Sequence, residues 1–557
     1  MKSIEFPIPS YDQWVEEATK ALKGKPFESL FTKTIENITL EPLYTEQQLI
    51  EKYGEALEKQ VATIREATAQ DRFQTAQQIV GETEEAFLSN LEESLARGNE
   101  VLVIDSRVPF EWTEDGLTTI TDYLAQYPFK LTIQGEEDAI FQAFQKISLK
   151  KSEHLEGYIL SDKNITISTA NVRSIPLNAI ELHNNGANAV QELAYVLAKA
   201  SELAKNEADF TQFERKLFVQ FAIDTQFFTE IAKVRAFRIL WKAFAAAFNA
   251  DTVSIPVVAE TSVRSFSKLD VYVNLLRSGN EALAAAIAGV DVFTVHPHDI
   301  LTSSSEQSIR IARNISIITK EESHVLKVTD PAGGSYFVED LTAQLVKEAW
   351  ALFIEIEQAG GYTAYEATLN EQVNAVYEER LKQVSTRKHS LIGTNIYANP
   401  SDAITQNENP IFAQVKRLAK PFEQLKQHVQ QHPIDVEILT FGELKNYKPR
   451  ADYVAGVLAV AGIEPVMTEG FQQIEDAANY LQQTKASHVI LVATDEDTKA
   501  IVPALLKAKP DTVKLDAAGK YKEEATTWLN EGLNGFIYAG QNIVEKLQQM
   551  LATQGEA

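Results

Sequence analysis

Residues 441–466 read FGELKNYKPRADYVAGVLAVAGIEPV. The strand-like run VEILTFG leads into this stretch, a short loop follows, and the apolar spacing beyond it predicts a helix before the next strand, EPVMTEG. The same alternation returns at SHVILVATD, TVKLDAA and NGFIYAG, so five βα units are expected over 436–557. That count predicts a flavodoxin-like, doubly wound domain, in which the loop after the first strand usually grips a cofactor. Here that place holds Lys445, Asn446, Tyr447, Lys448, Pro449 and Arg450, none of them a residue suited to the grip.

Working outward, residues 391–435 lose the alternation and gather Asn, Pro and Gln, which predicts a linker carrying one helix. Upstream, EVLVIDSRV, KLTIQG, EGYILSD, IPLNAIELH, VSIPVVAET and DVFTVHPHD are short apolar runs separated by helical patterns such as ANAVQELAYVLAKASEL. Repetition of this kind over 41–390 predicts a (β/α)8 TIM barrel with any site on the loops after its strands. Residues 1–40 form a polar, amphipathic arm broken by Gly24 and Pro26. Its apolar positions need another surface, so the arm is expected to wrap a domain or a partner subunit.

The 557 residues are 45% hydrophobic and 23% charged, and no apolar run approaches the roughly 18 residues that span a bilayer. The first residues show no basic-then-apolar signal, which makes the cytoplasm the expected address. Cysteine is absent, excluding disulfides, thiolate metal sites and cysteine nucleophiles. A formal charge of −26 repels phosphate backbones, so nucleic acid is not an expected partner.

Few motifs carry chemistry on spacing alone. His428 and His432 in HVQQH have the i, i+4 spacing of a metal pair, but Pro433 ends the helix and a solvated linker helix is expected. His296 and His298 in TVHPHD end a barrel strand and face the usual active-site end, a weak ligand pair. DPAGGSYFVEDLT places Gly333, Gly334 and Ser335 before a helix without a Walker lysine, so a tight turn is expected rather than a phosphate cradle. The acid clusters GEED (135–138) and TDED (494–497) are expected to cap helices.

Beyond spacing, the text of the chain resembles the methylmalonyl-CoA mutase family from end to end. The resemblance is carried by ALKGKPFESLFTKTIENITLEPLYT, GANAVQELAYVLA, IAKVRAFRILW and SIRIARNISIITKEESHVLKVTDPAGGSYFVEDLT. It implies a CoA-threaded barrel joined to a flavodoxin-like cobalamin domain. Family chains that bind cobalamin carry Asp-x-His-x-x-Gly in the first loop of that domain: imidazole under the cobalt, aspartate behind it, glycine leaving room for the nucleotide tail. Those positions align with Lys445, Tyr447 and Arg450, and all three requirements fail. A Ser-x-Leu pattern is replaced by VATDEDTK, and a Gly-Gly pair by Ala517 and Ala518.

The barrel departs from the family in the same way. Its Arg-Gln-Tyr-Ala-Gly-Phe motif aligns with REATAQ, leaving Ala67 at the tyrosine, and the Arg-Gly-Pro-rich CoA segment is missing. The Tyr-His pair aligns with Ile180 and Glu181, a carboxylate where an imidazole would donate to a thioester. His183 is expected on the same strand face as Glu181. HNNGA resembles the non-catalytic small subunits of heterodimeric bacterial mutases. The resemblance therefore implies a small (β) subunit of an isomerase whose large (α) subunit holds adenosylcobalamin and interconverts succinyl-CoA and (R)-methylmalonyl-CoA. No catalytic, cofactor or metal ligand is expected in this chain. Two alternatives stay open: an active acyl-CoA mutase or barrel enzyme built on His183, His296 or His298, and a binding module for CoA or a chaperone-like GTPase.

Overall fold

The computed structural model describes residues 9–552, apart from 70–71, 148–153, 162, 164, 168, 170, 252–253 and 406. The first eight residues of the expected arm lie outside the described residues. The rest of the arm comprises a helix, Tyr11–Ala21, a 3-10 turn, and a small antiparallel pair, β1 (Thr32–Lys33) and β2 (Thr39–Leu40). Tyr11, Trp14, Phe27 and Phe31 form a chain of ring contacts, while the helix buries no residue.

The following strands are β3 (Gln74–Gln78), β4 (Val101–Asp105), β5 (Phe129–Ile133), β6 (Gly157–Ser161), β7 (Val172–Arg173), β8 (Ile175–Asn178), β9 (Leu217–Ile223), β10 (Val257–Thr261) and β11 (Val292–Thr294). They form one parallel sheet in the order β7-β6-β5-β4-β3-β11-β10-β9-β8. The first strand, β3, pairs with the last, β11, and only Ser174 separates β7 from β8, so the sheet is nearly closed into a barrel. Both faces of such a sheet are covered, which is why β9, LFVQFAI, is buried at all seven positions. Val219, Phe221 and Ile223 face the helices, and Phe218 and Gln220 face the barrel axis.

Two quoted motifs meet beside the barrel. Arg235 of IAKVRAFRILW donates to the carboxylates of Asp330 and Glu339 in DPAGGSYFVEDLT. The Gly334 N–H donates to Glu339 Oε1 at 3.1 Å, so this turn is satisfied by its own chain and is no phosphate cradle. Gly333 is needed for room, since a Cβ there would lie 2.7 Å from Asp330 Oδ2.

The expected strand IPLNAIELH stops early. β8 ends at Asn178, whose side chain accepts the Ile180 N–H, and a short helix spans Ile180–Asn184. An asparagine that bonds the backbone two residues on favours a turn over continued strand.

A second parallel sheet follows: β12 (Val436–Thr440), β13 (Val466–Met467), β14 (His488–Val492), β15 (Lys514–Ala518) and β16 (Gly535–Ile537), in the order β13-β12-β14-β15-β16. This is the order of a flavodoxin-like sheet. The helix of the connecting stretch spans Lys420–Gln431 and packs Phe422, Leu425 and Val429 into the same core as Val454 and Leu458 of the next helix. The junction is tied on the barrel side too. Arg417 grips both oxygens of Glu423 at 2.6 Å, Glu423 accepts the Lys268 N–H at 2.8 Å, and Arg387 donates to the Gly456 carbonyl at 2.7 Å.

Candidate functional site

The C-terminal sheet changes direction between β12 and β14, and a ligand of such a domain sits beyond the carboxyl ends there. The expected loop of Lys445 to Arg450 is not a loop. The helix begins at Leu444 and runs to Val460, so only Phe441–Glu443 separate it from β12. Lysine, asparagine and tyrosine are all compatible with helix, and Pro449 falls on its sixth residue without ending it.

The three aligned residues now point to different places. Lys445 is exposed and pairs with Glu443 at 2.8 Å. Tyr447 is buried against Gly470, where an added Cβ would meet its Cε1 at 2.7 Å. Arg450 lies across the cleft itself. Its guanidinium donates to the carbonyls of Ala493 (2.7 Å) and Ala518 (3.2 Å), to Tyr521 Oη (3.1 Å) and to Asp495 Oδ1 (2.7 Å). Those carbonyls end β14 and β15, so one side chain bridges both strand ends. The hydrogen bond from Arg450 holds the Asp495 carboxyl below its usual range. Ala517 and Ala518 are buried in β15, and of the two only Ala518 touches this network. Thr494 caps the helix Asp495–Ala508, as the acid cluster leads one to expect, and Asp138 caps Ala139–Gln145 likewise.

These residues do not fit a cobalamin. No imidazole faces the cleft from the first loop, and an arginine bound to both strand ends fills the room a nucleotide tail would take. Among the described residues there is also no group of three or more His, Asp or Glu placed to hold a metal, and the His428 and His432 rings lie against each other with centroids 4.8 Å apart.

The barrel axis is likewise filled. Ala76, Val101, Val103, Tyr158, Phe218, Val258 and Val292 form a buried cluster, with the Tyr158 and Phe218 rings 5.1 Å apart. Above it, Glu260 of β10 has Lys130 Nζ at 3.4 Å and His296 Nε2 at 3.3 Å. Burial pushes the Glu260 carboxyl up, but Lys130 and His296 outweigh it and hold it at about 2. Charged residues inside apolar strands, Lys130 in FKLTI and Glu260 in VVAET, were the available signal for this layer. At the mouth a cavity of about 180 Å³ is lined by Arg107, Thr132 and Asn178, among others.

Ala67 does not face that mouth. It is the last residue of the helix Glu55–Ala67, and its carbonyl accepts from Arg238, which also donates to Gly289 just before β11. It therefore lies at the amino ends of the strands, whereas a side chain between substrate and cofactor must come from the carboxyl ends. The residue closing β3 at that end is Gln78.

Ile180, Glu181 and His183 lie on the short helix, not on a strand. Helical geometry turns exposed Glu181 away from His183, which is fully buried, so the expectation of a shared face fails. His183 Nδ1 is 2.7 Å from Glu192 Oε1 and its Nε2 is 2.8 Å from Ser262 Oγ. The order hydroxyl, imidazole, carboxylate is that of an activated nucleophile. With both Ser262 and His183 closed to solvent, no substrate reaches the hydroxyl, and the arrangement acts as core structure.

Around it, Lys233 pairs with Glu192 (2.9 Å) and Glu230 (2.6 Å), and Asp224 with Arg264 (2.7 Å). Burial pushes His183 down to about 4, so it stays neutral, while burial and the Glu192 charge raise Glu230 to about 7 against the pull of Lys233. His298 instead stacks on Tyr272, and no hydrogen bond or ring contact among the described residues joins His183, His296 and His298.

A family model described as methylmalonyl-CoA mutase matches residues 163–441, half of the chain. A protein of Porphyromonas gingivalis named methylmalonyl-CoA mutase small subunit is 28% identical over 98% of this chain and 97% of its own length. One of Mycobacterium tuberculosis, named probable methylmalonyl-CoA mutase small subunit, is 30% identical over 69% of this chain and 65% of its own. One of Cereibacter sphaeroides, named methylmalonyl-CoA mutase, is 34% identical over 43% of this chain and 34% of its own.

Proposed function

We propose, from the premise that this chain belongs to the methylmalonyl-CoA mutase family, that it is the non-catalytic small subunit of a heterodimeric, adenosylcobalamin-dependent mutase. Its partner is the large subunit, which holds the cofactor and interconverts succinyl-CoA and (R)-methylmalonyl-CoA. This chain stabilises that partner as a pseudo-symmetric half, free to diverge in its pockets while the shared surface keeps the pair together. The observation that carries the reading is Arg450 bonded to both strand ends across the cofactor cleft. The Tyr158 and Phe218 rings across the barrel axis support it, since a CoA chain threading that axis would meet them.

On this reading the chain divides into an arm (1–40), a barrel (41–390), a linker (391–435) and a degenerate cobalamin domain (436–557). Ile180, Glu181, Lys445, Tyr447, Arg450, Ala517 and Ala518 stand where catalytic chains carry working residues. The arm helix, none of whose residues is fully buried in its own chain, reaches the large subunit. No helix among the described residues is long and apolar enough to cross a membrane, and the cytoplasm is the proposed compartment.

Mixing the purified chain with the large subunit and measuring mass and turnover tests the pairing. A heterodimer with sustained turnover is expected; separate monomers with unchanged turnover would overturn it. Titrating this chain alone with adenosylcobalamin should leave the corrin spectrum unchanged, and tight binding with a spectral shift would refute the non-catalytic role.

A further inference from the structure

A cavity of about 260 Å³ lies where the arm pair β1–β2, the loop after β9 and the end of the long helix Tyr362–Ser385 meet. The charged and titratable groups that line it are Lys33, Glu36, Asp224, Arg380, Lys388 and His389. Asp224 is already engaged by Arg264 and Ser265. Lys33, Arg380 and Lys388 have no acidic group within ion-pair distance among the described residues; Arg380 only donates weakly to the carbonyls of Gly186 and Ala187, both at 3.3 Å. Three cations without carboxylate partners are out of keeping with a chain of formal charge −26. Among the lining groups, these three cations against Glu36 and Asp224 leave an excess of one positive charge (three minus two), with His389 neutral.

The excess has a visible cost. Burial, and then repulsion from Arg264, push the Arg380 guanidinium down to about 10, and burial lowers His389. An anion in the cavity would relieve both. The volume sets the size: it exceeds by severalfold the roughly 30 Å³ share of one water and falls below the roughly 300–1,000 Å³ of clefts for drug-sized ligands. That size suits a small anion.

We propose that this cavity is a binding site for a small dianion, a phosphate or a dicarboxylate, held by Arg380 at its wall and by Lys33 and Lys388 at its mouth. Because Lys33 belongs to the arm and Arg380 and Lys388 to the far end of the barrel sequence, the bound anion clamps the arm onto the barrel. The site is independent of the subunit role proposed above.

The test is thermal unfolding of the full chain in inorganic phosphate, in succinate, and in chloride at matched ionic strength, with wild type and K33Q/K388Q side by side. Both lysines are exposed, so the variant keeps its packing. A saturable rise in Tm with phosphate or succinate beyond chloride is expected, with the variant needing roughly tenfold or more anion for half the effect. Whichever of the two acts at lower concentration identifies the source. No rise beyond chloride in wild type, or an equal rise in the variant, overturns the proposal. If the variant does not fold, wild-type NMR decides: phosphate or succinate must shift the His389 ring resonances saturably where chloride does not, and resonances unmoved by both overturn it.

Discussion

Replacing Arg450 by alanine removes the side chain that bridges β14 and β15. Two of its hydrogen bonds run from a cation to buried carbonyls, Ala493 at 2.7 Å and Ala518 at 3.2 Å. At about 1.5 kcal/mol each, the low end for charged donors, they contribute about 3 kcal/mol. The pair with Asp495, whose side chain is 69% exposed, adds at most about 1 kcal/mol, and water entering the vacated space returns part of the loss. A net destabilisation of about 2–3 kcal/mol is therefore expected in the C-terminal sheet. A chain built on two large parallel sheets besides the small β1–β2 pair is not a single small domain that unfolds as one unit, so the assay is amide hydrogen exchange, peptide by peptide. Protection in β14, β15 and the helix Leu444–Val460 should fall by roughly thirtyfold or more, with the barrel strands unchanged. R450A should still leave the adenosylcobalamin spectrum untouched, because no imidazole faces the opened cleft. Unchanged protection would show that the guanidinium is an idle surface group, and cobalt ligation by R450A would show that it alone kept the cofactor out.

Three further outcomes follow from the same geometry. Tyr158→Ala empties the middle of the barrel axis and should cost about 3–5 kcal/mol, read from urea unfolding of the barrel; a loss below about 1 kcal/mol would mean that the axis is not packed shut. Glu230 is raised from 4.5 to about 7, so its contribution is present below pH 4.5 and lost as pH rises through about 7. Wild type should therefore lose stability relative to E230Q across that window, and a constant difference between the two would refute the shift. Removing residues 1–31 should lower the Tm of the isolated chain only slightly, since no residue of the arm helix is fully buried in its own chain, while weakening association with the large subunit in analytical ultracentrifugation. Equal association would relieve the arm of that role.

The alternation of apolar runs makes the two parallel sheets legible, because strands covered on both faces must be apolar throughout and their spacing repeats. What escapes is set by local competition. Asn178 turns the chain out of β8 through a single side-chain bond, which apolar counting does not weigh. The helix at Leu444 starts inside what resembles a family loop, since nothing in LKNYK opposes helix. Ala67 shows the limit of matching short motifs: REATAQ resembles the tyrosine segment in spacing, yet its residues lie at the wrong end of the strands. The buried cluster of His183, Glu192, Lys233 and Ser262 draws on segments up to 79 residues apart, so no local pattern announces it. Arg450 was visible as a loss of glycine, but its bonds to Ala493 and Ala518 come only with the folded sheet.

The junction around Glu423 has a mechanical consequence. One carboxylate holds Arg417 and the backbone of Lys268 at once, and Arg387, just past the helix Tyr362–Ser385, donates to Gly456 of the helix Leu444–Val460, so the two halves of this polypeptide are fastened at two places along the seam. A swing that parts them must break the Glu423–Lys268 and Arg387–Gly456 bonds together. A hinge between the two sheets would have to give way at two places at once rather than turn about a single loop.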